Sequence, residues 1–512
     1  MSKHELIKST WVIGVATAMS RALGFVRDIV IANYFGTSMA AQAFVVAFRI
    51  PNSLRDLVGE GATNAAIVPV LTEYKTVQGE REFVHISRVL FNISFAALLG
   101  LTVFGIIFSP FVVRLIAPGF IREPIKLELT IRLTRMIFPY LVLIGLTAYS
   151  TGVLNTLRHF AGPAFGPCLL NLALIVSAIW LCPKIGIMGL VIGVLIGGAL
   201  QLFLNIPIMY KRGVALSFKD GLRHRAVKKI GALLVPRALG SAVYQINIFV
   251  DTVIGSLAWI VGAGGVAALY YANRLIQFPL AIFGLALAQA ALPKMSREYA
   301  TGDIERLKDT LSFSLRVVFL IMLPASFGLA ILGHPIIKIL FERGEFTIYS
   351  TAITNSALFF YSFGLFAYSG VKLLAGCFYS IQDTMTPVVT ATLATILNVI
   401  LNLILMWPLK LGGLALATSI SATFNFFILY ILLKRRLGGF GTRQIVDSFL
   451  RVLLACIVMG GVLMILLKNN QNLNYIILII AIAVSICVFI LAGYLFNVRE
   501  LRSTLEWIIK KR

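Results

Sequence analysis

The feature that most limits what this chain can fold into is a succession of fourteen apolar runs, each bounded by charges or by Gly and Pro clusters. They fall near residues 9–35, 39–59, 83–114, 129–154, 161–181, 186–210, 228–261, 265–292, 310–333, 351–379, 385–407, 412–433, 445–467 and 474–496. About 20 apolar residues in a helix cross the hydrocarbon of a bilayer. Inside lipid, a helix satisfies its own backbone hydrogen bonds. The runs therefore predict an all-α polytopic membrane protein with fourteen transmembrane helices. Composition agrees, because only 13% of the 512 residues are charged, about half the share in a soluble domain.

Lys and Arg number 45 against 21 Asp and Glu, a formal charge of +24. In a spanning protein such an excess reads as topology, because inner loops collect Lys and Arg. It does not read as nucleic-acid binding. With both termini inside, inner segments hold about three times as many of these residues as outer segments. The N-terminal run contains Arg21, Arg27 and Asp28 and lacks a small-residue cleavage site, so it is expected to be retained. The five cysteines are scattered without a CxxC pair, which argues against a disulfide framework or a zinc site. The five histidines lie near loops or ends and are not expected to cluster, which argues against histidine catalysis. No GxxxxGK[ST] phosphate loop is present.

The chain also repeats itself. A shift of 224 residues superposes Pro69 on Pro293, Gly152 on Gly376, Pro163 on Pro387, Gly189-Leu190 on Gly413-Leu414, and Gln201 on Asn425. The shift moves the first span onto the seventh, so the copies keep the same orientation, a parallel repeat. The expected organisation is an N-terminal lobe (1–211), a basic inner linker (212–227), a C-terminal lobe (228–436), a final pair of spans (437–496) and a basic amphipathic tail (497–512) carrying Leu501, Leu505, Trp507 and Ile508. Two six-helix lobes about a central cavity form a transporter architecture.

Charges stand where hydrocarbon is expected. The first two runs hold Arg21, Arg27, Asp28, Arg49, Arg55, Asp56 and Glu60, and the eighth adds Arg274. An arginine at mid-bilayer costs a few kcal/mol, so it faces a cavity or a partner. Two readings stand. The arginines pair with the nearby acids or snorkel to an interface, or they line a cavity. Arg21 and Arg27 are six residues apart, as are Arg49 and Arg55, which turns each pair about 120° apart on a straight helix. A bend or unwound turn at Gly24 and at Pro51 would aim both members of each pair at one place. Arginines outnumber acids here, and Arg274 has no acid close in sequence. A cationic cavity suits an anionic substrate, and arginine forks match phosphate oxygens.

The segments "SRALGFVRD", "FRIPNSLRDLVGEGATNAAIVPVLTEY" and "YYANRLIQFPL…ALPKMSREY" resemble the MurJ/MviN family of lipid II flippases, within the multidrug/oligosaccharidyl-lipid/polysaccharide exporter superfamily. The resemblance runs along essentially the whole chain. It implies export of undecaprenyl-diphosphate-linked disaccharide-pentapeptide (lipid II) across the bacterial cytoplasmic membrane. It implies substrate contacts from Arg21, Arg27, Arg55 and Arg274, with Arg49 at a basic position. Asn52 and Glu60 of the PN-LR-GEGA stretch complete the expected substrate-binding set. It also implies a groove for the polyprenyl tail in the last two spans. The chain is expected to act as a monomer among membrane lipids, with peptidoglycan-synthesis proteins as further partners. Acids expected in the family are replaced by Gln42, Asn273 and Gln277, which leaves the cavity more positive.

A second constellation consists of Asp251 mid-span, Asn398 and Asn402 at i, i+4, and Thr418 in the next span. Hard oxygen donors of this kind suit a hard cation, and equally form an interhelical hydrogen-bond network. The resemblance implies sodium in some members, with Leu414 supplying a carbonyl; no other cofactor is expected. Other readings are a flippase for another polyprenyl-diphosphate-linked oligosaccharide, a drug antiporter, and a membrane enzyme acting on polyprenyl-linked sugars. A cationic-drug exporter calls for an acidic cavity. An enzyme calls for catalytic carboxylates or histidines and a larger polar domain than residues 211–229 allow.

Overall fold

The computed structural model describes residues 3–55, 62–218, 220–222, 224–469 and 474–502. Among these every regular element is helical. The first stretch comprises α1 (Lys3–Phe35), α2 (Met39–Arg55), α3 (Ala62–Val77), α4 (Glu80–Ile116), α5 (Pro124–Ile137), α6 (Tyr140–Thr156), α7 (Ala161–Trp180), the short α8 (Cys182–Ile185) and α9 (Met188–Lys211). The second comprises α10 (Arg225–Gly255), the short α11 (Ala258–Val261), α12 (Gly265–Pro279), α13 (Leu285–Ala300), α14 (Ile304–Phe341), α15 (Ile348–Ser362), α16 (Leu365–Ser380), α17 (Met385–Leu409) and α18 (Leu411–Leu437). Two helices follow, α19 (Thr442–Asn469) and α20 (Tyr475–Leu495). A π turn at Leu280–Gly284 joins α12 to α13.

The long helices form because their apolar runs are interrupted mainly at the ends. Side-chain oxygens of Asp303, Thr347 and Asn474 accept from backbone N–H groups in the first turns of α14, α15 and α20, satisfying donors that have no intrahelical partner. Among the described residues, ten segments are long and apolar enough to cross a membrane. The pair α15–α16, bent by 46°, makes an eleventh if taken as one span. The expected spans outside that count correspond to α1, α2 and α10. Leu454, Ile457, Ile479 and Leu491 are among the many large apolar side chains left exposed. Small polar residues such as Ser150, Ser177, Ser369 and Thr390 are buried instead. Apolar outside and small polar between helices is the pattern of a bundle solvated by lipid.

Packing divides the chain into two units, residues 1–257 with 343–346, and residues 258–342 with 347–512. In the first, α7 packs on α1 and α9, and α3 packs on α6. Its core includes Phe83, Ile86, Leu90, Tyr149 and Val153. In the second, α17 packs on α18, while α14 packs on α15 and α19. Leu332, Leu463, Leu478 and Ala481 tie α14 to the α19–α20 pair. The repeat places α10 as the first helix of the second copy; by packing it groups with the first unit, against α3 and α4.

Helix bounds follow the 224-residue offset closely. Shifted by 224, α4 falls on 304–340 and α14 is 304–341; α7 begins at 161 and α17 at 385. Even the irregular turns recur. Arg158 and Gln382, related by the shift, both adopt positive φ (59° and 63°), as do Gly186 and Lys410 (62° and 51°). The segment 62–77, expected as a connection, is itself a helix, as is its shifted partner at 285–300. Leu501 of the tail is buried, while Leu505, Trp507 and Ile508 lie outside the described residues.

Candidate functional site

In the first unit the cations sit on α1 and α2. Arg27 is buried at 7% exposure beside the fully buried Asp28. Its Nη2 and Nε donate to Asp28 Oδ1 at 2.7 and 3.0 Å, and its Nη1 donates to Asn171 Oδ1 at 2.9 Å. Asn171 Nδ2 donates in turn to the Ser20 carbonyl at 3.0 Å. A charge pair taken out of water needs this full complement of hydrogen bonds. Gly24 leaves room for the Asn171 amide, whose nearest atom lies 3.5 Å from where a Cβ would stand. Arg27 thus fastens α1 to α7 and holds a fixed geometry. Arg21, six residues earlier, is exposed.

Arg49, Asn52 and Arg55 on α2 are all half-buried, and Arg49 donates to Thr252 Oγ1 of α10. Asp56 and Glu60 lie outside the described residues. The expected unwound turns are absent: α1 is helical through Gly24, and α2 is helical through Pro51 to Arg55. Pro51 removes one donor but leaves its neighbours helical, so each arginine pair remains spread around its helix.

Gln42, where an acid was expected, is buried and accepts from Lys126 Nζ at 3.2 Å. Lys126 also contacts Glu123 at 3.2 Å and lies over the Phe120 ring at 4.1 Å. Sequence reasoning placed Lys126 in an outer connection and missed its burial. Its only local signal was Glu123 three residues before it.

In the second unit, Arg274 on α12 is half-buried. Its guanidinium lies 5.5 Å from the Tyr270 ring centre, with Nη2 donating to Tyr270 Oη at 3.3 Å and Nη1 to Gln277 Oε1 at 3.4 Å. Gln277 Nε2 donates to Asn273 Oδ1 at 2.6 Å. Gln277 and Tyr270 orient this arginine through neutral groups, where the family's carboxylates would add negative charge. The π turn at Leu280–Gly284 begins three residues after Gln277, directly after Pro279; such turns recur at functional sites.

Four members of the second constellation meet. Asn398 Nδ2 donates to Thr418 Oγ1 at 3.3 Å, Asn402 Nδ2 to Asn398 Oδ1 at 2.9 Å, and Thr418 Oγ1 to the Leu414 carbonyl at 3.0 Å. They form a hydrogen-bonded chain between α17 and α18. Asp251 is half-buried on α10, in the other unit.

The histidines do cluster, contrary to the sequence expectation. His85 and His224 rings lie 5.8 Å apart. His85 Nδ1 meets Asp220 at 2.9 Å, and His224 Nε2 meets Glu82 at 2.9 Å. These contacts fasten the basic linker to α4. No group of three or more His, Cys, Asp or Glu suited to a metal occurs among the described residues.

An all-helical protein with outward apolar faces and cations built into membrane-length helices is a polytopic membrane transporter. Its fold is shared with an inward-facing multidrug resistance MATE family transporter of the MOP superfamily, at TM-score 0.72 and 16% identity over 83% of this chain and 98% of that one. The family model "Lipid II flippase MurJ" matches residues 31–498. A probable lipid II flippase MurJ of Vibrio cholerae serotype O1 is 36% identical over 472 residues, 90% of this chain and 89% of that protein. The solved structure of lipid II flippase MurJ in an inward closed conformation matches at TM-score 0.82 and 28% identity, covering 95% of this chain and 98% of that one. The chain belongs to the lipid II flippase MurJ family.

Proposed function

We propose that this protein, in the bacterial cytoplasmic membrane, moves lipid II from the inner to the outer leaflet. The observation that carries the reading is the family match from residue 31 to residue 498. The chemistry of Arg274 supports it, since Tyr270 and Gln277 hold its guanidinium in place, and an arginine fork matches phosphate oxygens. A diphosphate-sugar head does not cross hydrocarbon unaided, because its charged groups lose their hydration. The polyprenyl tail has no such barrier.

In this reading the head enters a cavity open to the inside while the tail stays in lipid along α19 and α20. Arg21, Arg49, Arg55 and Arg274, with Asn52 and Glu60, replace lost water by charge-assisted hydrogen bonds. Arg27, held by Asp28 and Asn171, positions α1. The lobes alternate access, and the head leaves outside. With the inside negative, each anionic charge moved fully outward gains about 2.3 kcal/mol per 100 mV. The empty cationic cavity is drawn back by the same field. Taking α1, α2 and α10 as spans alongside the other eleven gives fourteen, with both termini inside, as the Lys/Arg asymmetry requires.

The test is complementation of cells depleted of their own lipid II flippase. Wild type rescues, and well-expressed Arg21→Ala, Arg55→Ala and Arg274→Ala do not. Rescue by all three variants makes those arginines structural and removes the site. A separate proposal is sodium held by oxygens of Asp251, Asn398, Asn402, Thr418 and Leu414, supported by the donor set. Sodium then raises Tm in wild type but not in Asp251→Ala. An equal rise in both leaves only the hydrogen-bond network.

A further inference from the structure

A polar cavity enclosing about 380 Å³ lies in the second unit, away from the residues assigned above. It is built where the beginning of α14, the first turns of α19 and the segment after α20 come together. Arg316, Arg443, Arg451 and Arg499 line it, with Asp447 and Glu500. Four cations against two carboxylates leave an excess of two positive charges.

Two of the arginines are committed to the framework. Arg316 pairs with Glu500, which is 3% exposed and also accepts from Ser448 Oγ at 3.0 Å. Arg451 pairs with Asp447 at 2.9 Å and donates to the Phe496 and Asn497 carbonyls at 3.2 Å. These contacts close both carboxylates and fix the end of α20 to α19. Arg443 and Arg499 are exposed, and neither forms an ion pair among the described residues. The excess charge of the cavity therefore belongs to these two exposed guanidiniums, and Arg443 stands in the first turn of α19, where the helix dipole also favours an anion.

The surroundings identify the anion's carrier. Directly along α19 run Val446, Leu450 and Leu454, at i, i+4 and i+8, each about half exposed (49%, 51% and 49%). Phe313 of α14 and Leu495 of α20 are exposed on the same two neighbouring helices. An apolar stripe beginning one turn from a cationic cavity, on a membrane-spanning helix, matches a molecule with a phosphate at one end and acyl chains at the other. Basic pockets between spanning helices suit such headgroups.

We infer that this cavity binds the phosphate headgroup of an anionic phospholipid, with the acyl chains along Val446, Leu450 and Leu454. Arg443 and Arg499 supply the phosphate contacts, and the Arg316–Glu500 pair holds the cavity's shape. The headgroup cavity shares no residue with the arginines of the proposed flipping site, although its acyl chains lie on α19, one of the two helices along which the polyprenyl tail is proposed to lie.

The experiment uses a Leu450→Trp reporter in the full chain, with wild-type fluorescence subtracted. The protein is reconstituted into phosphatidylcholine vesicles containing brominated phosphatidylglycerol or brominated phosphatidylcholine as quencher. Brominated phosphatidylglycerol is expected to quench the reporter preferentially. Adding Arg443→Gln and Arg499→Gln lowers that preference roughly thirtyfold, the loss that removal of two interfacial cations implies. Both positions are exposed, so the fold is expected to survive; an unchanged gel-filtration profile verifies it, and single Arg499→Gln serves as the milder variant. Inorganic phosphate is expected to leave the quenching unchanged. Equal quenching by the two lipids, or a preference untouched by the double variant, overturns the proposal. Loss of the preference on adding inorganic phosphate overturns the lipid assignment in favour of a free-anion site.

Discussion

The stretch α1–α9 and the stretch α10–α18 share a backbone plan but not a charge plan. At the 224-residue offset the helices, the prolines at 69 and 293, and the left-handed turns at 158 and 382 coincide. Yet Arg27-Asp28 falls on Asp251-Thr252, Arg21 on Gln245, and Arg49 on Asn273. Buried Gln42 and Lys126 fall on buried Val266 and Ser350. Landmarks that set chain direction repeat because both copies need the same shape. Ionic groups do not repeat, because each buried charge needs its own partners and is costly without them. An asymmetric set of cations on a repeated scaffold is what a carrier of an anionic head requires.

The largest expected break in this comparison comes from Arg27. Arg27→Ala leaves Asp28 buried without its cation, which costs about 3–5 kcal/mol. The offset-related Asp251→Ala is expected to lower Tm far less, because Asp251 is only half-buried. Thermal unfolding in detergent compares the two; an equal loss removes the structural role given to Arg27.

A smaller effect sharpens the Gln42–Lys126 pair. Gln42→Leu removes an acceptor from the buried Lys126 amine, which costs about 1–3 kcal/mol. Tm is expected to fall. An unchanged Tm would mean that the Gln42–Lys126 bond adds nothing to stability.

The smallest effect concerns the matching turns. Asp383 accepts from the Thr386 N–H and hydroxyl at 3.0 and 2.7 Å and pairs with Arg436. These hydrogen bonds, with the arginine, hold its carboxyl below the usual range. At the offset, His159 stands near Arg212, and burial together with that cation pushes its pKa below the ordinary 6.5. Asp383→Ala is expected to cost about 1 kcal/mol at neutral pH, as loss of a helix-start acceptor does. Its contribution is present above the unfolded carboxyl pKa and lost as pH falls through the folded one. His159 acts sooner: its depressed pKa makes stability decline as pH drops below 6.5. Urea titrations of the wild type, Asp383→Ala and His159→Gln across this range separate the two.

Much of the scaffold was legible because it is written in local signals. Apolar runs, Gly and Pro punctuation and the fixed offset gave the helices their places, and the residues quoted from α1 and α2 gave the family. The bundle is helical as expected, and eleven of the expected spans have an apolar counterpart among the described residues. What sequence could not reveal are partners far apart in the chain. Arg27 meets Asn171, 144 residues away, and Arg316 meets Glu500, 184 residues away. The burial of Lys126 and the meeting of His85 with His224 are packing outcomes without a local pattern. Pro51 misled in the other direction, since it removes one backbone donor and α2 stays helical through it.

The central claim, that arginines of this chain carry a lipid-linked diphosphate across the membrane, is tested most directly in proteoliposomes. Purified protein is reconstituted with fluorescent lipid II on the inside, and its appearance outside is followed under an inside-negative potential. Wild type is expected to move the lipid, with Arg274→Ala at least tenfold slower, the loss that one charge-assisted contact worth about 1.5–3 kcal/mol predicts. Transport by Arg274→Ala at the wild-type rate would contradict the account.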